Sequence, residues 1–353
     1  MIPRFGLVGF PNVGKSTFFR YLTKAPAEIA EYPFTTIEVN KGFLNVEDEK
    51  LKKLFSLVHS KKLTFAQAEF FDVAGLIKGA HKGEGLGNQF LADIRPVEGI
   101  FEIIRNFENP NVPSPLDKID PLEELGILNL EIILSDLQIL ERNQETISKE
   151  AKSGSAERKK ELSELLKLKE ILKSGKRPVS SEFPEILREF NLISTKPLMV
   201  VVNSQKTLDE DIKTKISRFF DPPLKNDFIL SADLKLFFDL EELPESERGE
   251  FSQEDLKREI VDVCFKMLDL ITFYTVNENE CHSWIIKRGL NAKEAAGEVH
   301  TDFQQKFIRA EVIPIDKLLE LNGNWSLAHQ KGLIRVEGKD YKVQNGDVIL
   351  IKI

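Results

Sequence analysis

The chain has 353 residues, a hydrophobic fraction of 41%, a charged fraction of 30% and a formal net charge of −8, values expected of a globular protein with room for two or three domains. Its longest apolar stretches, such as residues 197–202, fall far short of the roughly 18 residues that span a bilayer, and the N-terminus lacks a charged and then apolar signal segment, so neither membrane insertion nor export is expected. The acidic balance argues against nonspecific coating of nucleic acid by the whole molecule, and two cysteines, Cys264 and Cys281, are too few for a disulfide framework or a zinc site, which makes a reducing cytoplasm the expected compartment.

The first predicted strand, residues 4–9, runs into Gly9-Phe10-Pro11-Asn12-Val13-Gly14-Lys15-Ser16, which fits the phosphate-binding pattern GxxxxGK[ST]. Glycines let successive backbone N–H groups turn inward around phosphates, Lys15 would reach the β and γ oxygens, and the Ser16 hydroxyl would ligate magnesium. The helix-compatible residues 17–22 supply the strand–loop–helix context that the motif needs. Asn12, Val13, Gly14, Lys15, Ser16 and Thr17 are therefore the candidate residues for binding a nucleoside triphosphate. Asn12 is also a candidate for helping to bind a monovalent cation, potassium; the alternative is that its side chain bonds the backbone of its own loop.

Tyr32-Pro33-Phe34-Thr35-Thr36-Ile37 offers a hydroxyl pair where a magnesium- and γ-phosphate-sensing switch should lie. Thr36 is the favoured sensor and Thr35 its alternative. Predicted strands follow at residues 39–44 and 66–71, and the second leads into Asp72-Val73-Ala74-Gly75. In such a DxxG arrangement Asp72 would hold magnesium through water and the Gly75 N–H would sense the γ-phosphate. Lys15, Thr36 and Gly75 are the candidate catalytic residues, and Ser16, Thr36 and Asp72 the candidate metal ligands. The next residue is Leu76, where Ras-type switches carry a glutamine that orients water; its side chain has no hydrogen-bonding group. An intrinsic hydrolysis rate on the order of 10⁻⁴ s⁻¹ or less is expected without an external activator. Gly83, Gly85 and Gly87 at alternate positions suit a segment that orders with the γ-phosphate or a partner.

A strand over residues 99–104 precedes a strongly helical stretch, residues 126 to about 175, read as two antiparallel helices with a turn near Ser153-Gly154-Ser155. Residues 149–177 carry ten basic and five acidic side chains, which reads either as a solvated helical face or as a basic arm that touches RNA phosphates. The apolar run at residues 198–202 and the segment 227–231 return to the sheet, which makes the hairpin an insertion. Asn203-Ser204-Gln205-Lys206 stands where a guanine-specific site has Asn-Lys-x-Asp. Lys206 replaces the acid that would accept from guanine, while Asn203 can meet an adenine N6/N7 edge, so ATP is expected to bind at least as well as GTP. Asn203, Ser204, Ser231 and Ala232 complete the candidate nucleotide-binding set. From residue 268, short strands at 271–276, 280–286, 310–314, 333–336 and 348–352 are separated by Gly- and Asn-bearing turns, a small mixed α/β module.

Several extended motifs occur in one order: GFPNVGKS at 9–16, YPFTTIEVN at 32–40, DVAGLIKGAHKGEGLGNQFLADIR at 72–95, GEVHTDFQQKFIRAEV at 297–312 and EGKDYKVQNGDV at 337–348. Together they resemble the Obg-like ATPase (YchF) family over essentially the whole chain. The resemblance implies an α/β fold: a Ras-like P-loop NTPase domain (1–125 and 190–267) with an inserted helical hairpin, or coiled coil (126–189), and a C-terminal β-grasp TGS domain (268–353). It implies a translation-factor-class NTPase that prefers ATP and associates with the ribosome and its rRNA through the helical insertion and the TGS domain. A monomer is the expected state. Two departures stand out. Members commonly carry an acid at the place of Lys206, and many carry a histidine in the loop after the FEN motif, whereas residues 107–124 here contain none. His81 is the nearest titratable alternative. The competing reading is a non-catalytic, nucleotide-gated binding protein.

Overall fold

In the computed structural model, the described residues are 1–24, 40–73, 93–114, 116, 118–152, 156–244, 247 and 253–353. The chain divides into two units, one formed by Arg4–Gly42 and Phe70–Leu256, the other by Met1–Pro3, Phe43–Glu69 and Lys257–Ile353. This differs from the expected boundaries. Residues 43–69, placed by sequence in the nucleotide domain, group with the C-terminal module, and so do residues from 257 onward.

One sheet has the order β2-β4-β1-β5-β6-β7, built from β1 (Arg4–Val8), β2 (Asn40–Asn45), β4 (Gln67–Asp72), β5 (Gly99–Arg105), β6 (Leu198–Asn203) and β7 (Ile229–Ala232). β1, β5, β6 and β7 pair in parallel, with Leu7 opposite Phe101 and Ile103 opposite Val201. Every residue of β5 and β6 is buried, as strands covered on both faces require, which is why they read as mainly apolar runs, with Glu102 and Arg105 in β5 and Asn203 at the end of β6 as the polar exceptions. Phe5, Phe70 and Phe101 form an aromatic centre with ring separations of 5.5–5.6 Å. Helix α1 (Lys15–Thr23) lays Phe18, Phe19 and Leu22 into the core.

The insertion is a hairpin of α3 (Pro121–Lys152) and α4 (Ala156–Lys173). At 1.5 Å per residue, the 32 residues of α3 reach about 48 Å. Ile133, Leu140 and Ile147, seven apart, meet Leu165, Leu168 and Leu172, and α5 (Pro184–Glu189) closes this core with Ile186. Leu130 and Leu166 from the same apolar series are instead exposed. The root of the hairpin is bolted to the sheet by buried charges. Arg177 pairs with Glu102 of β5 and donates to the Asn129 side chain of α3 at 2.6 Å. Arg95 donates to Asp136 at 2.8 Å, whose other oxygen accepts the Ser194 N–H at 2.7 Å. Helices α6 (Glu210–Phe219) and α7 (Leu234–Glu242) belong to the same unit.

Much of the positive charge of the arm is spent internally. Lys149 pairs with Glu145, Arg158 with Glu150, Glu161 and Glu189, Lys160 with Glu185, Lys173 with Glu170 and Lys176 with Asp221. This arrangement favours the solvated-face reading along most of the hairpin and leaves Lys152, Lys159 and Lys167 exposed without an ion pair among the described residues.

The second unit holds a sheet of order β11-β10-β12-β8-β9-β3, made of β3 (Lys62–Thr64), β8 (Leu270–Val276), β9 (Glu280–Lys287), β10 (Arg309–Pro314), β11 (Arg335–Glu337) and β12 (Asp347–Lys352). α2 (Glu49–Val58) buries Leu51 and Leu54 among Tyr274, Ile313 and Val348, and Asp48 caps it by accepting the Leu51 N–H at 2.9 Å. β3 adds to the edge of this sheet in parallel with β9, Leu63 opposite Cys281. These contacts explain the shifted boundary, because α2 and β3 find their burial and hydrogen-bond partners in the C-terminal sheet. α8 (Gln253–Leu268), α9 (Ala292–Val299), α10 (Thr301–Gln305), α11 (Ile315–Glu320) and α12 (Trp325–Gln330) make up its helices. No helix among the described residues is long and apolar enough to cross a membrane.

Candidate functional site

The loop between β1 and α1 is shaped by two glycines. A Cβ on Gly9 would collide with the Ile103 carbonyl oxygen, and Gly14, at φ 106°, lies against the Asn203 amide in a conformation that disfavours any side chain. Lys15 opens α1, is 6% exposed and donates from Nζ to the Phe10 carbonyl at 2.8 Å. Burial pushes its pKa down to about 8, opposed by the negative fields of Asp72 and Glu124. Asp72, at the end of β4, is raised above the usual carboxylate range by burial, against a hydrogen bond with Ser16 and the charges of Lys15 and Arg20. A hydroxyl and a carboxylate thus sit side by side next to a buried ammonium. Both are hard oxygen donors, the chemistry that magnesium takes, so Ser16 and Asp72 fit that ion.

Asn12 adopts φ 65° and its Nδ2 donates to the Pro113 carbonyl at 3.2 Å. It therefore bonds backbone, though that of the 107–114 loop rather than its own. Val13 is buried, and its carbonyl accepts from Asn203 Nδ2 at 2.8 Å; Asn203 Oδ1 accepts the Leu234 N–H at 3.2 Å. The expected adenine-edge donor and acceptor are both already engaged with the protein. Ser204 is buried too, accepting from Asn106 Nδ2 at 3.2 Å and donating to the Lys206 carbonyl at 2.8 Å. Lys206 itself is exposed. Ser231 and Ala232 lie in β7, and the Ala232 carbonyl accepts the Ser204 N–H at 3.0 Å, which joins the two base-side segments. Thr17 lies half-buried in α1. Thr35, Thr36, Gly75, Leu76, His81 and the glycines at 83, 85 and 87 lie outside the described residues.

Two residues enter the site without having been singled out in the sequence. Arg105, at the end of β5, is 3% exposed and fastens the following loop by donating to the carbonyls of Phe107 at 3.0 Å and Val112 at 2.9 Å. Glu124, in the first turn of α3, accepts the Arg105 N–H at 3.0 Å, and burial pushes its pKa up to about 7. Its only sequence signal is an acid near a helix start, which ordinarily serves the helix dipole.

A 50S ribosome-binding GTPase model matches residues 4–136, and the YchF-type GTPase C-terminal model, described as a protein of unknown function, matches residues 270–353. The chain is 37% identical to the ribosome-binding ATPase YchF of Bacillus subtilis (strain 168), covering 98% of this chain and 97% of that protein. It is 35% identical to Obg-like ATPase 1 of Oryza sativa subsp. japonica, covering 99% and 91%. The solved structure of the Schizosaccharomyces pombe YchF GTPase superposes with a TM-score of 0.80 at 28% identity, over 99% of this chain and 97% of that one.

Proposed function

The chain belongs to the YchF family of Obg-like ATPases, and from that membership we propose that it is a magnesium-dependent hydrolase of nucleoside triphosphates whose nucleotide state gates its association with ribosomes. ATP is the assigned substrate and GTP a second one. The observation that carries the reading is the buried Lys15 beside the hydrogen-bonded pair of Ser16 and Asp72. Magnesium, when bound by Ser16, Asp72 and Thr36, would supply positive charge to the β and γ phosphate oxygens. Lys15 neutralises and orients those oxygens, and the loop amides from Asn12 to Ser16 hold them in place. Leu76 leaves water positioning to the backbone, Gly75 included, so turnover is slow until a partner raises it. The Asn12 Oδ1 oxygen, which accepts no hydrogen bond among the described residues while Nδ2 bonds Pro113, is assigned to potassium; an unchanged rate on replacing potassium by sodium would remove that assignment.

Ribosome binding is carried over from the names of the relatives. Within this chain the exposed Lys152, Lys159 and Lys167 of the arm, together with the C-terminal module, are the proposed rRNA contacts, and the protein acts as a cytoplasmic monomer. The absence of a histidine from residues 107–124 favours a second reading, a nucleotide-gated binder that does not turn over. Steady-state ATP and GTP hydrolysis with and without ribosomes, beside a Lys15→Ala control, separates them. Slow ATP turnover that ribosomes accelerate and Lys15→Ala abolishes is expected; tight binding without turnover in either condition would select the second reading.

A further inference from the structure

Arg105 closes β5 and is 3% exposed. A guanidinium so deeply buried ordinarily faces a carboxylate or a phosphate, yet this one has no ion pair among the described residues. It stacks on the Phe107 ring, its central carbon 4.3 Å from the ring centre, and donates to the carbonyls of Phe107 at 3.0 Å, Val112 at 2.9 Å and Asn109 at 3.5 Å. All three carbonyls belong to the segment that follows it, and the two ends of that segment are tied to different sides of the candidate site. At its start, the Asn106 N–H donates to the Asn203 carbonyl at 2.8 Å and Asn106 Nδ2 to the Ser204 hydroxyl at 3.2 Å. At its end, the Pro113 carbonyl accepts from Asn12 Nδ2 at 3.2 Å. Asn12 is the phosphate-loop residue held at φ 65°, a left-handed conformation that costs a residue other than glycine and persists only where its surroundings hold it.

We propose that Arg105 is a positioning residue for the nucleotide: it fixes residues 106–113 as a strut between the base-side segment and Asn12, and so presets the phosphate loop for its ligand. The inference rests on the nucleoside-triphosphate reading above. The planar fork of a guanidinium can hold the Phe107 and Val112 carbonyls at once, near the two ends of the segment, which an ammonium, a single point of charge, cannot reproduce. With the strut slack, Asn12 relaxes toward right-handed backbone in the nucleotide-free protein and has to be driven back on binding. Affinity then falls although every group that meets the phosphates is still present.

The test is a double-mutant cycle on the full chain, reading the dissociation constant of a non-hydrolysable ATP analogue with magnesium at a temperature where every variant is folded. R105K and N12A are each expected to weaken binding by about tenfold. The double variant R105K/N12A should lose no more than about twice the larger single loss, since both substitutions release the same strut. Losses that multiply would show Arg105 acting independently of Asn12 and overturn the inference, as would an R105K protein that melts early yet binds with wild-type affinity. Pro113→Gly spares the core and carries the test should R105K not fold: residue 113 is exposed, and glycine keeps the carbonyl while loosening the backbone. It is expected to weaken binding by about threefold in the wild type and not at all in N12A; an equal effect in both backgrounds, or none in either, overturns this inference alone. A wild type that binds no analogue would overturn the nucleotide reading and the inference with it.

Discussion

The side-chain amide of Asn203 donates to the Val13 carbonyl at 2.8 Å and accepts from the Leu234 N–H at 3.2 Å, so one residue ties the phosphate loop to the start of α7. The amide nitrogen has a second hydrogen, and N7 is an acceptor on both purines. Asn203→Ala is therefore expected to weaken ATP and GTP by a similar factor, about tenfold for the loss of two neutral hydrogen bonds. Equilibrium titration with fluorescent analogues of each nucleotide checks this. A loss confined to ATP would instead mean that Asn203 reads the N6 edge.

Base choice should respond to the position three residues further on. Lys206 is exposed, and the turn before it is closed by the Ser204 hydroxyl rather than by a carboxylate. Lys206→Asp supplies an acceptor for guanine, and charge-assisted bonds of about 1.5–3 kcal/mol each should raise GTP affinity relative to ATP by tenfold or more. Competition between the two nucleotides for the variant reports the ratio directly; no movement in it would place residue 206 away from the base.

Strands such as β5 and β6 were legible in the sequence because burial on both faces writes itself as a mainly apolar run, Ile100, Phe101, Ile103 and Ile104 in one and residues 198–202 in the other. The phosphate loop was legible because its glycines, lysine and serine are adjacent in the chain. What could not be read were relationships between distant positions. β3 is three residues long and mostly polar, so its membership of the C-terminal sheet depends entirely on its pairing with β9. Asn203 was visible as a base-site residue, but its bonds to Val13 and Leu234 were not, since they span 190 and 31 positions. Glu124 looked like any first-turn acid until its burial and its bond to the Arg105 N–H were seen.

The arm should depend on one buried pair at its root. Glu102 is 0% exposed, and its Oε2, like Nη1 of Arg177, has no hydrogen-bond partner among the described residues. Removing only the cation strands a carboxylate in the sheet, so Arg177→Met is expected to cost about 3–5 kcal/mol. Removing the charge of both partners, in E102Q/R177M, should recover most of that loss. Urea unfolding of the two variants beside the wild type decides it, and a single-variant cost below about 1 kcal/mol would mean that the pair is hydrated rather than dry.

Lys15 should show the conflict between folding and binding most directly. Burial lowers its pKa from 10.5 to about 8, so the folded empty protein holds a charge it would more readily release than the unfolded chain does. A lysine with a depressed folded pKa binds fewer protons folded than unfolded between those two values. Stability therefore rises with pH from about 8 to about 10.5, and the full penalty is present below about 8. Lys15→Met removes the charge, keeps an unbranched apolar stem and costs the bond to Phe10. The nucleotide-free variant is expected to melt at a higher temperature than the wild type near pH 7, by about 1–3 kcal/mol in stability, with the difference shrinking as pH rises toward about 10. It should also fail to gain stability when MgATP is added, whereas the wild type should gain it. Paired thermal melts with and without nucleotide across that pH range measure both effects. A variant less stable than the wild type at neutral pH would show that the Phe10 bond outweighs desolvation and that the empty loop carries no such penalty.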